Sequence, residues 1–345
     1  MEQRMAASSS SPRPQPQNLM PPPFLFRIAP LQGALCRWAI AGWTSLLVGC
    51  GSRAHEEPPA PGPASSGEQE IVGGTDTTIS ANPWQVSLQD EDGDEYRGGS
   101  ILGDRWILTA QHCVRDDYGN IEKPHFVVAG VTALSDSANR QVRHVATDHD
   151  VIPFPGYQSS AMDKDVALLR LSTPLDLSGP DAKAIPFATA VDESSRVTTP
   201  GVVARATGWG RLTVNGPSAD TLQTVDLLLL SNSAAQAAYP DYVITPDMIG
   251  AAALGKSTCK GDSGGPLTVP YGDSRVLVGV NSWKQVDGCG DSRYPSMFAR
   301  VSSFATWITE TTCILSNGAT PPNSPCSRGC GAAPTPCPCR RTPAP

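Results

Sequence analysis

A glycine-rich stretch, Gly261-Asp262-Ser263-Gly264-Gly265, holds the residue of this 345-residue sequence best suited to act as a nucleophile. Glycines on both sides of Ser263 let the backbone turn sharply, so that its hydroxyl can be exposed. A serine hydroxyl is a weak nucleophile at neutral pH and needs a base, a group that orients the base, and donors for an oxyanion. The stretch therefore predicts covalent acyl transfer only if the rest of the sequence supplies these partners.

Two further segments supply a base and a carboxylate. His112 lies in the run Thr109–Val114, and Asp165 stands directly before the apolar run Val166–Leu171. The order along the chain is His, Asp, Ser. The α/β-hydrolases share the glycine-flanked serine, but there the serine comes first and strands alternate with helices. Neither condition holds here, so the same chemistry is indicated on a different fold.

Around these residues the sequence resembles the chymotrypsin/trypsin family of serine endopeptidases, over roughly residues 71 to 313. Segments in the family's order carry the resemblance: Ile71–Gly74, Pro83–Leu88, Gly98–Leu102, Gly208–Gly210, Ser282–Trp283 and Ala299–Val301. It implies that His112 takes the proton of Ser263 while Asp165 orients His112. It also implies that the backbone N–H groups of Gly261 and Ser263 hold the oxyanion. Asp163 is two residues from Asp165, but Asp165 directly precedes the apolar run, as the family pattern requires.

Short apolar runs separated by turn residues follow one another from residue 71 onward, without helices between them. This spacing predicts an all-β barrel or sandwich. The resemblance implies two antiparallel six-stranded β-barrels, at about residues 71–185 and 186–313, with the active site between them. One helix is predicted over Ser303–Leu315, where apolar residues share one face and the domain ends.

The ends of the chain differ in composition from this domain. Residues 1–50 comprise a Ser- and Pro-rich extension and a short apolar run of the kind found in signal peptides. The run ends in Leu47–Cys50, which resembles a bacterial lipobox with Cys50 as the lipidated residue; a plain secretory signal is the alternative. Residues 51–70 are typical of a linker or propeptide, and residues 314–345 of a disordered Pro- and Cys-rich tail.

These features predict a secreted or cell-envelope protein of the bacterial lipoprotein type. Membrane contact would arise only through a lipid anchor on the precursor, which activation would release. In the family, activation is a cut before the segment that starts at Ile71, here after Glu70. The new ammonium group of Ile71 would then pair with Asp262, the residue before the nucleophile.

The ten cysteines fit an oxidising compartment. The resemblance pairs Cys259 with Cys289 beside the specificity pocket. Cys113 keeps its family position next to the base, but Arg97 stands where its partner is expected. Cys113 is therefore either a free buried thiol or bonded to Cys313 or to a tail cysteine. The tail cysteines lack the paired spacing of a zinc site.

The formal net charge of −7 argues against nucleic acid as a partner, since duplex binding needs a basic patch. No metal or cofactor is predicted, because the family's calcium loop is not recognisable between Val131 and Asp150. The resemblance implies protein or peptide substrates, with protease inhibitors as further partners. Two other functions stay open from the sequence: a catalytically silent binding protein on the same fold, and a hydrolase of small esters.

Substrate preference is expected to differ from that of trypsin. At the base of the pocket, where trypsin-type members carry an aspartate, the matching residue is Ser257. After the wall segment Ser282–Trp283, Lys284 and Ser296 stand at usual glycine positions. A narrowed pocket without a counter-charge favours a small or medium neutral residue before the scissile bond. The alternative is an acidic residue attracted by the lysines at positions 256, 260 and 284.

Overall fold

The structure, a computed structural model, describes residues 72–316 except residue 117 and residues 286–288. The predicted lipidation at Cys50, the cut between Glu70 and Ile71, and the cysteine-rich tail lie outside the described residues.

The strands are β1 (Thr75–Asp76), β2 (Gln85–Gln89), β3 (Glu95–Gly103), β4 (Trp106–Thr109), β5 (Phe126–Ala129), β6 (Gln141–Arg143), β7 (Val151–Pro153), β8 (Ala167–Arg170), β9 (Val203–Gly208), β10 (Gln223–Leu229), β11 (Met248–Ala252), β12 (Pro266–Tyr271), β13 (Ser274–Trp283) and β14 (Ser296–Arg300). The α-helices are α1 (Ala190–Ser194), α2 (Asn232–Ala238) and α3 (Val301–Leu315).

The first sheet is an antiparallel, curled sheet with the strand order β6-β5-β2-β3-β4-β8-β7. Its interior is filled by apolar side chains that include Val86, Leu88, Ile101, Ile107 and Leu169. All four residues of β4 are buried. A strand that is buried on both faces needs no polar residue at every second position. This explains why Trp106–Thr109 does not alternate between apolar and polar residues.

The second sheet has the order β1-β10-β11-β14-β13-β12-β9, and an additional pairing of β10 with β9 closes six of its strands into a barrel. Along β10 buried and more exposed residues alternate, and Val225, Leu227 and Leu229 point into the core. The predicted class, two antiparallel β-barrels with a C-terminal helix, is confirmed. One detail differs, because β1 belongs to the second sheet, where its residues pair with Gln223 and Thr224 of β10.

Helix α3 was predicted over Ser303–Leu315 and begins at Val301. Its buried residues Phe304 and Ile308 pack in a cluster that also contains Leu108 of the first sheet and Val280 of the second. The helix therefore joins the two barrels. The short helices α1 and α2 were not predicted, since neither is long enough to show an apolar period. No helix in the described part of the chain is both long and apolar enough to cross a membrane.

The pairing of β4 with β8 determines where the candidate catalytic residues meet. Thr109 stands opposite Ala167 in this antiparallel pair. The chain after Thr109 forms a 3-10 helix, Gln111–Val114, and the chain before Ala167 carries Asp165. Because the strands are antiparallel, the residues after one and before the other emerge at the same end of the sheet.

Candidate active site

His112 and Asp165 form a close pair at this end of the first sheet. Nδ1 of His112 lies 2.7 Å from Oδ2 of Asp165, and the backbone N–H of His112 donates to Oδ1 at 2.9 Å. The hydroxyl of Ser282 donates to Oδ2 at 2.6 Å. Asp165 is fully buried, whereas 19% of the His112 side chain is exposed. The carboxylate thus fixes the orientation of the imidazole ring.

The electrostatics of this pair favour an ionised carboxylate beside an imidazole that gains a proton readily. Burial by itself raises the pKa of Asp165, but the charge of His112 and the hydrogen bonds from His112 and Ser282 outweigh it and lower that pKa. Burial works in the opposite direction on His112, whose pKa is nevertheless raised well above its usual value by Cys113 and Asp165. A base that is stabilised after it takes up a proton is what acyl transfer requires.

The neighbouring carboxylate, Asp163, has a different role. It accepts a hydrogen bond from the hydroxyl of Thr245 at 2.7 Å and makes none to His112. On either side of it, Met162 and Lys164 adopt left-handed backbone conformations with φ of 50° and 58°. Such conformations cost energy in residues other than glycine and persist where the surroundings impose them. This strained turn delivers Asp165, and not Asp163, to the base.

Ser263 lies in the turn before β12 and contacts the first barrel through its backbone. Its carbonyl accepts a hydrogen bond from the N–H of Gly98 on β3 at 2.7 Å. Gly264 follows with φ of +79°, and a Cβ there would lie 2.2 Å from Oγ1 of Thr109, so only glycine fits. Among the described residues Oγ of Ser263 makes no hydrogen bond, and Nε2 of His112 lies 3.6 Å from Sγ of Cys113.

The residues before Ser263 occupy tight positions against the second barrel. Gly261 has φ of +100°, and a Cβ there would come within 2.7 Å of Cα of Gly210. The carboxylate of Asp262 is buried and accepts two backbone hydrogen bonds, from Gly210 at 3.0 Å and from Cys259 at 2.8 Å. It forms no ion pair with any described residue. Burial raises the pKa of Asp262 to about 6, although the two N–H groups act in the opposite direction.

Comparison with known proteins shows which family has this arrangement. The sequence model of the Trypsin family matches residues 71–308. A trypsin from Phaedon cochleariae is 33% identical over 248 residues, which cover 70% of this chain and 88% of that protein. The chain belongs to the Trypsin family. Its activity is therefore that of a serine endopeptidase, and the predicted resemblance is confirmed. Neither match supports the bacterial lipoprotein type that Leu47–Cys50 suggested.

The disulfide predicted from the trypsin resemblance is present, and the open question about Cys113 is answered. Cys259 and Cys289 are bonded, which closes a loop of 30 residues beside the pocket. Cys113 is a free, buried thiol. Cys313 is disulfide-bonded, so the alternative of a bond between Cys113 and Cys313 was wrong.

The candidate specificity pocket is a cavity of about 230 Å³ beside Ser263 on the second barrel. Its lining residues are Thr258, Cys259, Lys260, Ser263, Asn281, Ser282, Trp283, Lys284, Gln285 and Cys289. Ser257 and Ser296, predicted as pocket residues, are each only 1% exposed and do not line the cavity. The hydroxyl of Ser257 accepts a hydrogen bond from the N–H of Gly290 at 2.8 Å. Neither of these two predicted residues therefore faces the cavity.

Two polar residues of the pocket were missed in the sequence. Thr258 and Asn281 line the cavity, and the hydroxyl of Thr258 donates to Oδ1 of Asn281 at 3.1 Å. Each is the direct neighbour of a predicted pocket residue, since Thr258 follows Ser257 and Asn281 precedes Ser282. Strand alternation would place Asn281 and Ser282 on opposite faces, but the register of β13 shifts between Asn281 and Trp283, so alternation gave no signal for Asn281.

Proposed function

We propose that this chain hydrolyses peptide bonds through a Ser263-His112-Asp165 triad and an acyl-enzyme intermediate. Oγ of Ser263 attacks the carbonyl carbon, and its proton passes to Nε2 of His112, which returns it to the leaving amine. Asp165 holds the ring and stabilises its charged form. The observation that carries this proposal is the buried His112–Asp165 pair, which is held by three hydrogen bonds beside the cavity that Ser263 lines.

The oxyanion is held by the backbone N–H groups of Gly261 and Ser263. The positive φ of Gly261 supports this assignment, because it sets the peptide plane in a conformation that other residues avoid. Each donor of this kind contributes on the order of 3 kcal/mol to stabilisation of the transition state.

A fluorophosphonate probe tests the triad, because it reacts only with an activated serine. The activated protein is expected to take up the probe and to cleave peptides, and Ser263→Ala is expected to do neither. Ser303→Ala is the matched control, since it removes an exposed hydroxyl on α3 far along the chain. No labelling of a folded wild type would favour a silent binding protein. Labelling with turnover of esters but of no peptide would favour an ester hydrolase.

We further propose that the chain is made as a zymogen that is activated between Glu70 and Ile71. The contact made by Val72, the residue after Ile71, supports this proposal. Its carbonyl accepts a hydrogen bond from the N–H of Ser257 at 3.1 Å, which holds the start of the domain near the segment that carries Asp262. Asp262 lies buried without a cation among the described residues, which suits an incoming ammonium group. In a Glu70→Lys precursor, cleavage by a lysine-specific protease should switch activity on. Full activity before cleavage would refute this activation step.

The bond cleaved follows a small or medium-sized residue that is not basic. The replacement of the usual aspartate by Ser257 and the end of the cavity before Ser257 and Ser296 support this limit on size and charge. The sequence alone favours a neutral residue over an acidic one.

Secretion, with a lipid at Cys50 on the precursor side of the cut, completes the proposal. If Cys50 carries the anchor, cleavage before Ile71 separates the protease from it, since residues 51–70 contain no cysteine that could retain the domain. Fractionation of cells tests this arrangement, with membrane-bound precursor and soluble mature enzyme as the expected result. A Cys50→Ala precursor that stays with the membrane would contradict it.

A further inference from the structure

The wall of the cavity beside Ser263 carries positive charge. Two of its lining residues are lysines, Lys260 and Lys284, and no aspartate or glutamate lines it within the described part of the chain. The third lysine near these segments, Lys256, is not in the wall. Its side chain packs where a Cβ on Gly73 would lie, at 2.7 Å.

Lys284 is held in place by the backbone of a neighbouring turn. Its Nζ donates to the carbonyl of Tyr294 and lies 3.4 Å from the carbonyl oxygen of Asp291. An ammonium group has three protons, so one remains for a ligand. Burial lowers the pKa of Lys284 to about 8 while Asp291 raises it, and the group is still mostly charged at pH 7. The carboxylate of Asp291 is itself engaged by Arg293 at 2.7 Å.

The inner end of the cavity adds a neutral donor. Thr258 donates its hydroxyl proton to Oδ1 of Asn281, and Oγ of Ser296 lies 2.9 Å from Oγ1 of Thr258. The amide oxygen of Asn281 is thereby used as an acceptor. Its amide nitrogen makes no hydrogen bond to a described residue, so its N–H groups remain for a ligand.

We infer that this cavity takes an acidic side chain before the scissile bond, with Lys284 and Asn281 as the specificity-determining residues. This inference rests on the proposed endopeptidase activity and narrows its substrate class. A carboxylate accepts hydrogen bonds from both groups, and such bonds from an ammonium group are stronger than neutral ones. A neutral side chain would leave the charged wall without a partner, and a basic one would meet like charge.

The test uses peptides that differ only in the residue before the scissile bond, with aspartate against asparagine and glutamate against glutamine. The activated enzyme at pH 7 and low salt is expected to prefer the acid over its amide by about tenfold or more in kcat/KM, a factor that corresponds to 1.4 kcal/mol. Lys284→Met should reduce this ratio to about one. Lys256→Met is the matched control and should keep the wild-type ratio.

A pH series on the wild type gives a second measurement that needs no variant. The acid-to-amide ratio should fall as the pH rises through about 8, because Lys284 loses its proton there. Lys260 is the other cation facing the cavity, and Asp291 the acid beside Lys284. A ratio at or below one, or a ratio that neither Lys284→Met nor pH changes, would overturn the inference. If the enzyme still binds the probe and cleaves peptides, the proposed activity stands; absence of both would overturn that activity instead.

Discussion

Two aspartates of the active site, Asp165 and Asp262, are equally buried but have opposite pKa shifts. Asp165 meets His112 and the hydroxyl of Ser282, and its pKa is lowered. Asp262 meets only two backbone N–H groups within the described residues, and its pKa rises to about 6. Burial disfavours both charges alike, so the partners decide the outcome.

Among the described residues, the carboxylate of Asp165 has a cationic partner available and side-chain donors, whereas the carboxylate of Asp262 has only backbone donors. Asp165 has the partners it needs from the fold itself, as an orienting group in a finished site should. Asp262 is held in position but lacks a counter-charge, which is the condition expected of a residue that awaits the ammonium group of Ile71. Under the proposed mechanism, folding alone would place His112 and Asp165, and activation would then complete the oxyanion loop.

The largest effect is expected for Asp165→Asn. The amide cannot hold the same tautomer of His112, and in enzymes with this triad such a change lowers kcat by about 10⁴. Peptide turnover of the activated variant measures the loss, with its thermal unfolding curve as the control for folding. A loss of less than tenfold would mean that Asp165 is not the orienting residue.

Asp262→Asn is expected to act on the activated enzyme next most strongly. Removal of one partner of a buried ion pair costs about 3–5 kcal/mol, which corresponds to a loss of roughly 10² to 4 × 10³ in kcat/KM. The variant should still fold. Kinetics after the cut at Ile71 give the value. Equal activity of variant and wild type would show that Asp262 has no part in activation.

In the uncut precursor the same substitution, Asp262→Asn, should be favourable, because it should raise the free energy of unfolding at neutral pH. The pKa of Asp262 is raised in the folded state, so stability is full below its ordinary pKa and is lost as the pH rises toward about 6. Asp262→Asn removes this loss, on the order of 2–3 kcal/mol. Urea unfolding of both precursors from pH 4 to pH 8 measures the difference. Burial raises the pKa of Glu95 in both precursors, whereas the further increase caused by the charge of Asp262 is absent from the variant.

The smallest of these effects is expected for Ser282→Ala, which removes one hydrogen bond to Asp165. A hydrogen bond to a charged group contributes about 1.5–3 kcal/mol, so kcat should fall by roughly tenfold to a hundredfold. The pKa of Asp165 should rise, because Ser282 helps to lower it. The acid limb of the pH–rate profile should therefore shift to higher pH. An unchanged profile would assign Ser282 to packing alone.

The sequence predicted those parts of the site that depend on fixed positions in strands. Asp165 was distinguished from Asp163 by its place directly before an apolar run, and the pairing of Thr109 with Ala167 explains why Asp165 lies within hydrogen-bond distance of His112. For Asp165 a local pattern sufficed, because strand register sets its position. The bond between Cys259 and Cys289 followed from the resemblance alone, since both cysteines lie in loops.

Other features needed the three-dimensional arrangement. The sequence could not show whether Cys113 is free or disulfide-bonded. Arg97 stands where the family has the partner cysteine, so a free thiol and bonds to other cysteines were all possible. The sequence also did not show which residues line the pocket. Ser257 and Ser296 occupy the expected positions, but both are buried and do not line the cavity. Whether a side chain at a known position reaches a cavity depends on its neighbours, here Thr258 and Gly290.

The single disulfide beside the pocket has a consequence for where this enzyme could be produced. Between residues 72 and 258 the sequence contains one cysteine, Cys113, so the barrel that supplies the base and its carboxylate forms without any covalent link. The bond between Cys259 and Cys289 holds the wall that selects the substrate. In a reducing cytosol, selectivity would therefore decline before the capacity for proton transfer.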